Sequence, residues 1–193
     1  VDQADIETAR GGGLIGEAYN SSISKSGVVF ANIHGVMDYV GGLTGYVRDG
    51  IKVIDSYANA NIINSHSLGY TGGLIGYIAT GSDNNAYVHE ITRTYASGHS
   101  SNNNTQIFHG IANYPSDVKV VSNGPSYFDS EMSLLSASKV PTQPNDANIF
   151  IPSNIQMMRK QANYVGWDFQ NTWAIAEGAE SPRLQPRAAE FSY

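Results

Sequence analysis

Gly41-Gly42-Leu43-Thr44-Gly45 and Gly72-Gly73-Leu74-Ile75-Gly76 are two copies of one unit, and a third stands at Gly12-Gly13-Leu14-Ile15-Gly16. The copies start 29 residues apart (12 to 41) and 31 apart (41 to 72). A degenerate fourth, Ile107-Phe108-His109-Gly110, ends 34 residues after the third (76 to 110). Periods of this length mark solenoids, in which each unit buries its apolar face only against its neighbours. Gly-Gly ahead of an apolar pair predicts a sharp turn, where positive φ costs glycine nothing, feeding a short strand. Leu14, Leu43, Leu74 and Phe108 are then expected to stack as one inward ladder.

A second signature alternates with the first: Val29-Phe30-Ala31-Asn32, Ser56-Tyr57-Ala58-Asn59, Thr94-Tyr95-Ala96-Ser97 and Ser126-Tyr127-Phe128-Asp129. Phe30, Tyr57, Tyr95 and Tyr127 predict a second ladder. Asn32, Asn59, Ser97 and Asp129 follow each aromatic by two and favour turns there. Linkers of unequal length between the signatures are expected to bulge outward as loops. Residues 1–135 are read as this repeat region.

The pattern changes further on. Segment 136–152, with Pro141, Pro144 and Pro152, reads as a loop. Ser153-Asn154-Ile155-Gln156 is a capping box, and Ile155, Met158 and Ala162 share one helical face, so a short helix is predicted over about 154–163. Gly166-Trp167-Asp168-Phe169 and Trp173-Ala174-Ile175 read as aromatic strands around Asn171. A solenoid end exposes strand edges and core, so 153–184 is expected to be a capping unit. Residues 185–193 read as a frayed tail.

Composition fits this picture. The chain has 193 residues, 41% hydrophobic and only 15% charged, so its polar surface is largely Ser, Asn, Thr and Gly. The net charge is −6 and no basic stripe is present, which argues against nucleic acid and against a membrane surface. The absence of cysteine excludes disulfides, zinc–thiolate sites and thiol nucleophiles. No apolar run approaches membrane-spanning length.

Together the two signatures resemble the GLUG-motif repeats of bacterial surface and secreted proteins: adhesins, filamentous-haemagglutinin-like exoproteins and non-catalytic regions of immunoglobulin A peptidases. Gly72–Gly76 and Ser56–Ala58 match that pattern best. Downstream, Tyr127-Phe128-Asp129-Ser130-Glu131, Gln156-Met157, Gly166–Phe169, Trp173, Glu177-Gly178 and Pro182-Arg183-Leu184 resemble the unit that often follows such repeats. The resemblance implies a right-handed parallel β-helix-like solenoid of about four coils with a C-terminal capping unit. It also implies export to the cell surface, an adhesive or spacer role and no catalytic residues.

Several local patterns invite sharper readings. Gly11–Gly16 contains Gly-x-Gly-x-x-Gly, with Asp38 about as far on as a ribose-binding acid, but no helix follows and the unit recurs, so the repeat reading stands. His34, His66, His89, His99 and His109 are expected in loops or facing solvent. Only His34 and His99 share a repeat position, with Asn61 between them, which makes a poor metal site. Asp129 and Glu131 are a carboxylate pair that would share a strand face but lack a placed partner. Twelve tyrosines could form rows that bind a glycan or protein, or could be core. Asn20-Ser21-Ser22 and Asn103-Asn104-Thr105 are glycosylation sequons by pattern. The expected function is a non-enzymatic adhesin or spacer module without cofactor or metal, binding a host or bacterial surface glycan or protein through a face or loops such as Asp83–Asn85 and Asn102–Asn104. The alternatives are a polysaccharide-degrading β-helix enzyme and a non-catalytic region of a secreted peptidase.

Overall fold

The structure, a computed structural model, describes residues 5–66, 69–81, 87–101, 108–112, 114–115, 117–131 and 149–186. Strand makes up 54% of it, with one short helix, and the strands wind a β-solenoid of about three turns. One sheet holds β1 (Asp5–Gly12), β4 (Gly27–Gly41), β7 (Tyr57–Asn64), β8 (Tyr70–Gly72), β11 (Tyr95–Ser101), β12 (Phe108–His109), β14 (Ser126–Asp129) and β15 (Phe150–Ser153). A second holds β2 (Ile15–Tyr19), β5 (Thr44–Arg48) and β9 (Ile75–Ile78). A third holds β3 (Ser22–Ser24), β6 (Lys52–Ile54), β10 (Val88–Thr92) and β13 (Lys119–Val121). Pairing within all three is parallel, as a chain that returns in the same direction each turn requires.

The core is a set of columns. Val28, Ala58, Ala96 and Phe128 are in register and buried, as are Ile23, Val53 and Ile91 on the third sheet. Leu43 and Leu74 are fully buried, as the repeat predicts. Leu14 is not: it is 40% exposed, because its turn ends the stack and no described strand lies beyond it. The fourth copy is also displaced by three residues from the expected alignment. Phe108 pairs with Thr71 and His109 with Gly72, while the Ile111 carbonyl accepts from Leu74 and Ile75. Ile111, fully buried, therefore continues the leucine column that was expected to contain Phe108.

The glycines turn for a different reason than expected. None of Gly12, Gly13, Gly41, Gly42, Gly72 and Gly73 has positive φ. They are needed because the walls touch: a Cβ on Gly42 would sit 2.2 Å from the Gly73 carbonyl oxygen and 2.7 Å from the Ala58 Cβ. Positive φ falls on non-glycine corners instead. Lys25, Asp55 and Arg93 (48°, 48° and 50°) each follow the paired Ser24, Ile54 and Thr92. Arg93 grips Asp55 through Nε and one terminal nitrogen, at 2.7 and 3.0 Å, so this strained corner is pinned across turns. Behind it runs a column of Ser26, Ser56, Thr94 and Ser126, in which the Ser26 and Thr94 amides donate to the Ser56 and Ser126 hydroxyls.

The aromatic ladder holds for Tyr57, Tyr95 and Tyr127, which are in register. Phe30 is not in it. The register shifts between Val29 and Ala31, and Phe30 occupies the resulting bulge at φ 54°, 63% exposed. Gly27 stands opposite Tyr57 in its place. Asn32, Asn59 and Ser97 lie inside β4, β7 and β11, not in turns. Asn61 donates to Asn32, and Asn32 to Asp5, a side-chain row that suits an outward sheet face.

The last segment folds along the side of the stack. β15 extends the first sheet beyond β14, so the expected loop over 136–152 ends in strand; residues 132–148 are outside the described residues. The helix is shorter than its pattern predicts: α1 covers Ile155–Met158, followed by a 3₁₀ turn over Gln161–Asn163. Asn154, not Ser153, caps it, accepting from the Met157 amide at 2.8 Å. Gly166–Phe169 is turn, not strand, held by Asp168, whose carboxylate accepts from the Gln170 and Asn171 amides. β16 (Trp173–Ala174) pairs antiparallel with β17 (Arg183–Leu184). Gln185 is tied to Phe169 and Trp173 carbonyls, and the rest of the expected tail, 187–193, is outside the described residues.

This segment covers the tyrosine ladder. Trp173, fully buried, sits 6.0 and 6.3 Å from Tyr57 and Tyr95, and Trp167 lies 4.4 Å from Trp173, ring centre to ring centre. Trp173 Nε1 donates to Asp55, Trp167 Nε1 to the Pro125 carbonyl, and the Tyr127 hydroxyl to the Asn163 carbonyl. Each polar tip thus finds a partner as its ring is buried.

Candidate functional site

The Gly-Gly-Leu-x-Gly corners carry a second consequence. Past each corner the chain lies against the strands that enter it. A Cβ on Gly45 would be 2.5 Å from the Gly11 nitrogen, and one on Gly76 would be 2.6 Å from the Val40 nitrogen. With no side chains between these strands, the next outward residues on either side meet. In the second copy these are Tyr39 and Tyr46, and in the third Tyr70 and Tyr77.

The four rings form one plate. Tyr39 lies 5.1 Å from Tyr46, 5.8 Å from Tyr70 and 4.9 Å from Tyr77, while Tyr70 is 4.9 Å from Tyr77. Tyr19 extends the row edge-on to Tyr46 at 6.2 Å. In the first copy Arg10 and Glu17 occupy the two tyrosine positions, in register with Tyr39 and Tyr46. The Arg10 guanidinium lies 5.3 Å from the Tyr39 ring centre and pairs with Asp38 at 3.1 Å and Glu17 at 3.4 Å. Arg48 stands 4.5 Å over Tyr19, whose hydroxyl donates to Glu17. All five rings are partly or well exposed, and a plate of stacked tyrosines with arginines at one end is the composition of an interaction hot spot.

Burial keeps Tyr39, Tyr46 and Tyr77 neutral. Burial raises the pKa of Tyr39 and Tyr46, and burial among the neighbouring tyrosines pushes that of Tyr77 up to about 12. These hydroxyls therefore stay protonated at neutral pH, offering donors and acceptors beside flat apolar rings. Hydrogen bonding to Asp38 raises Arg10 further, fixing its charge.

The other candidates disperse. Asp38 is engaged by Arg10, and Gly11–Gly16 runs strand, turn, strand, with no helix to hold a phosphate. His34 and His99 do not align: His34 lies opposite Ile63, while His99 lies opposite Asn61. His89 does not face solvent. It is buried, its Nδ1 accepts from the Ile51 amide, and burial lowers its proton affinity. Among the described residues no group of three or more His, Asp or Glu could hold a metal ion. Glu131 lies past the end of β14 and does not share a strand face with Asp129, whose carboxylate accepts from the Glu131 amide in a local turn. Asp129 is buried, and burial raises its pKa. Asn20 sits exposed at a positive-φ corner. Asp83–Asn85, Asn102–Asn104 and the second sequon lie outside the described residues.

Tyrosine rows were expected, but these tyrosines were not singled out. A signal exists: Tyr-x-Gly-Gly-Leu-x-Gly-Tyr is written in full at 39–46 and 70–77. No family model, curated protein or solved structure matches the chain.

Proposed function

We propose that this chain is a non-enzymatic adhesin or spacer module of an exported surface protein, built from GLUG-type repeats, and that it binds a surface glycan or protein through the tyrosine plate. The same reading takes the solenoid as right-handed, with four coils and residues 153–184 as its capping unit. One observation carries the reading: five partly exposed tyrosines from three successive turns, with Arg10 and Arg48 at one end, make a continuous surface that the core does not need. An aromatic face of this kind suits sugar rings or an apolar partner, and its neutral hydroxyls supply direction. No dispersed carboxylate or histidine described above offers a competing reaction centre.

The test is a glycan and surface-protein array probed with the wild type and with a Tyr39→Ala/Tyr77→Ala double variant. The reading expects at least one ligand whose binding drops about tenfold or more in the variant, with the fold retained by circular dichroism. Binding that ignores the double variant would overturn the assignment to the plate.

A further inference from the structure

A groove of about 240 Å³ lies between the solenoid and the segment folded along it. Tyr57, Tyr95, Ile155, Arg159 and Arg183 wall it, and the exposed Phe30 stands at its mouth. It shares no residue with the tyrosine plate. It is too small for a drug-sized ligand and suits one ring.

Two features of the groove lack a structural reason. Phe30 holds a left-handed backbone in a bulge, although a bulky residue pays strain there and its ring gains no burial. Bulges of this kind re-aim a side chain, here to the groove. Arg159 Nε is shut off from solvent without a hydrogen-bond partner. Arg183 has Glu180, also in the wall, as its ion-pair partner, whereas Arg159 forms no ion pair among the described residues. A guanidinium in a groove wall with no ion-pair partner among the described residues is a place for an anion.

We infer that this groove binds a single acidic sugar residue, its carboxylate on Arg159 and one face of its ring on Phe30. The guanidinium fork matches a carboxylate. The C–H face of a pyranose is complementary to the negative face of an aromatic ring. Asn59 and Ser181, also in the wall, are available to sugar hydroxyls. A peptide carboxylate is the weaker reading. Where Tyr57, Asn59 and Tyr95 wall the groove, β7 and β11 are paired on both edges, so the backbone there cannot take an extended chain.

The experiment titrates the purified chain, by calorimetry, with methyl β-D-glucuronide, N-acetylneuraminic acid, methyl β-D-glucoside, acetate and a glutamate-rich peptide. Binding by at least one of the two acidic sugars is expected, with the neutral glucoside and acetate each about tenfold weaker or worse. Arg159→Gln and Phe30→Gly should each weaken that binding by about tenfold. Phe30→Gly should leave the melting temperature unchanged or raised, since glycine accepts the left-handed bulge. Tyr39→Ala should leave the affinity unaltered. The inference is overturned if neither acidic sugar binds at millimolar concentration, if the glucoside or acetate binds as well, if the peptide binds more tightly, or if Phe30→Gly folds and binds as the wild type does.

Discussion

Two tyrosine stacks run along this solenoid, and they have opposite fates. Tyr57 and Tyr95 stack at 5.0 Å and 13°, and Tyr46 and Tyr77 at 6.3 Å and 14°, so the repeat produces much the same ring geometry twice. The first stack disappears beneath Trp167 and Trp173, leaving Tyr95 only 3% exposed. Among the described residues no such segment covers the second, which carries two arginines at one end. An in-register repeat therefore determines which side chains align, while the non-repeating segment determines which aligned surface is lost. The stack left uncovered is the one available for binding.

This contrast can be broken from the covered side first. Trp173→Ala removes the ring that joins the last segment to Tyr57 and Tyr95, and the expected loss is about 3–5 kcal/mol in denaturant unfolding. A loss below about 1 kcal/mol would mean the segment does not hold the ladder. Next is the corner. Gly73→Ala puts a Cβ 2.1 Å from the Gly110 carbonyl oxygen, and about 1–3 kcal/mol should be lost, measured the same way. If glycine served there only for backbone freedom, the alanine would be tolerated, since φ at Gly73 is not positive.

The open stack should respond more weakly. Tyr77→Ala forfeits ring contacts on a partly exposed surface and should cost about 1 kcal/mol or less, while ligand binding falls. A stability loss as large as that of Trp173→Ala would make the plate a core element. The smallest effect is electrostatic and sharpens what the interior tolerates. Burial lowers the His89 pKa, so the unfolded chain takes up the proton more readily. Stability contributed by neutral His89 is therefore complete above its unfolded value of about 6.5 and is lost as pH falls through that value toward the lower folded one. Replacing His89 with Gln should flatten the melting-temperature profile between about pH 7 and 5. An unchanged slope would place the pH dependence elsewhere.

Much of this was legible in the chain. The spacing of the glycine units gives a solenoid, and Leu43 and Leu74 take their core places because burial and period agree there. What resisted reading were single-residue effects. Phe30 matches the aromatic signature by type, but the first turn is offset by three residues, so Gly27 takes the ladder place and Phe30 falls in a bulge that no residue pattern announces. His34 falls out of line with His99 because of the same offset of the first turn. In the fourth copy Gly110 looked like the closing glycine, yet the structure uses it as the second, because an isoleucine can fill the leucine column. The glycines were read as conformational devices when their role is close approach, which depends on a strand a whole turn away. The tyrosine plate was available as an eight-residue pattern, but its meaning needed the corner that brings residues 39 and 46 together.

The most direct test of the contrast between the stacks is hydroxyl-radical footprinting of the folded chain, read tyrosine by tyrosine by mass spectrometry. The account expects Tyr19, Tyr39, Tyr46, Tyr70 and Tyr77 to be modified well before Tyr57, Tyr95, Tyr127 and Tyr164. Equal rates for Tyr95 and Tyr39, in a chain shown to be folded, would contradict it.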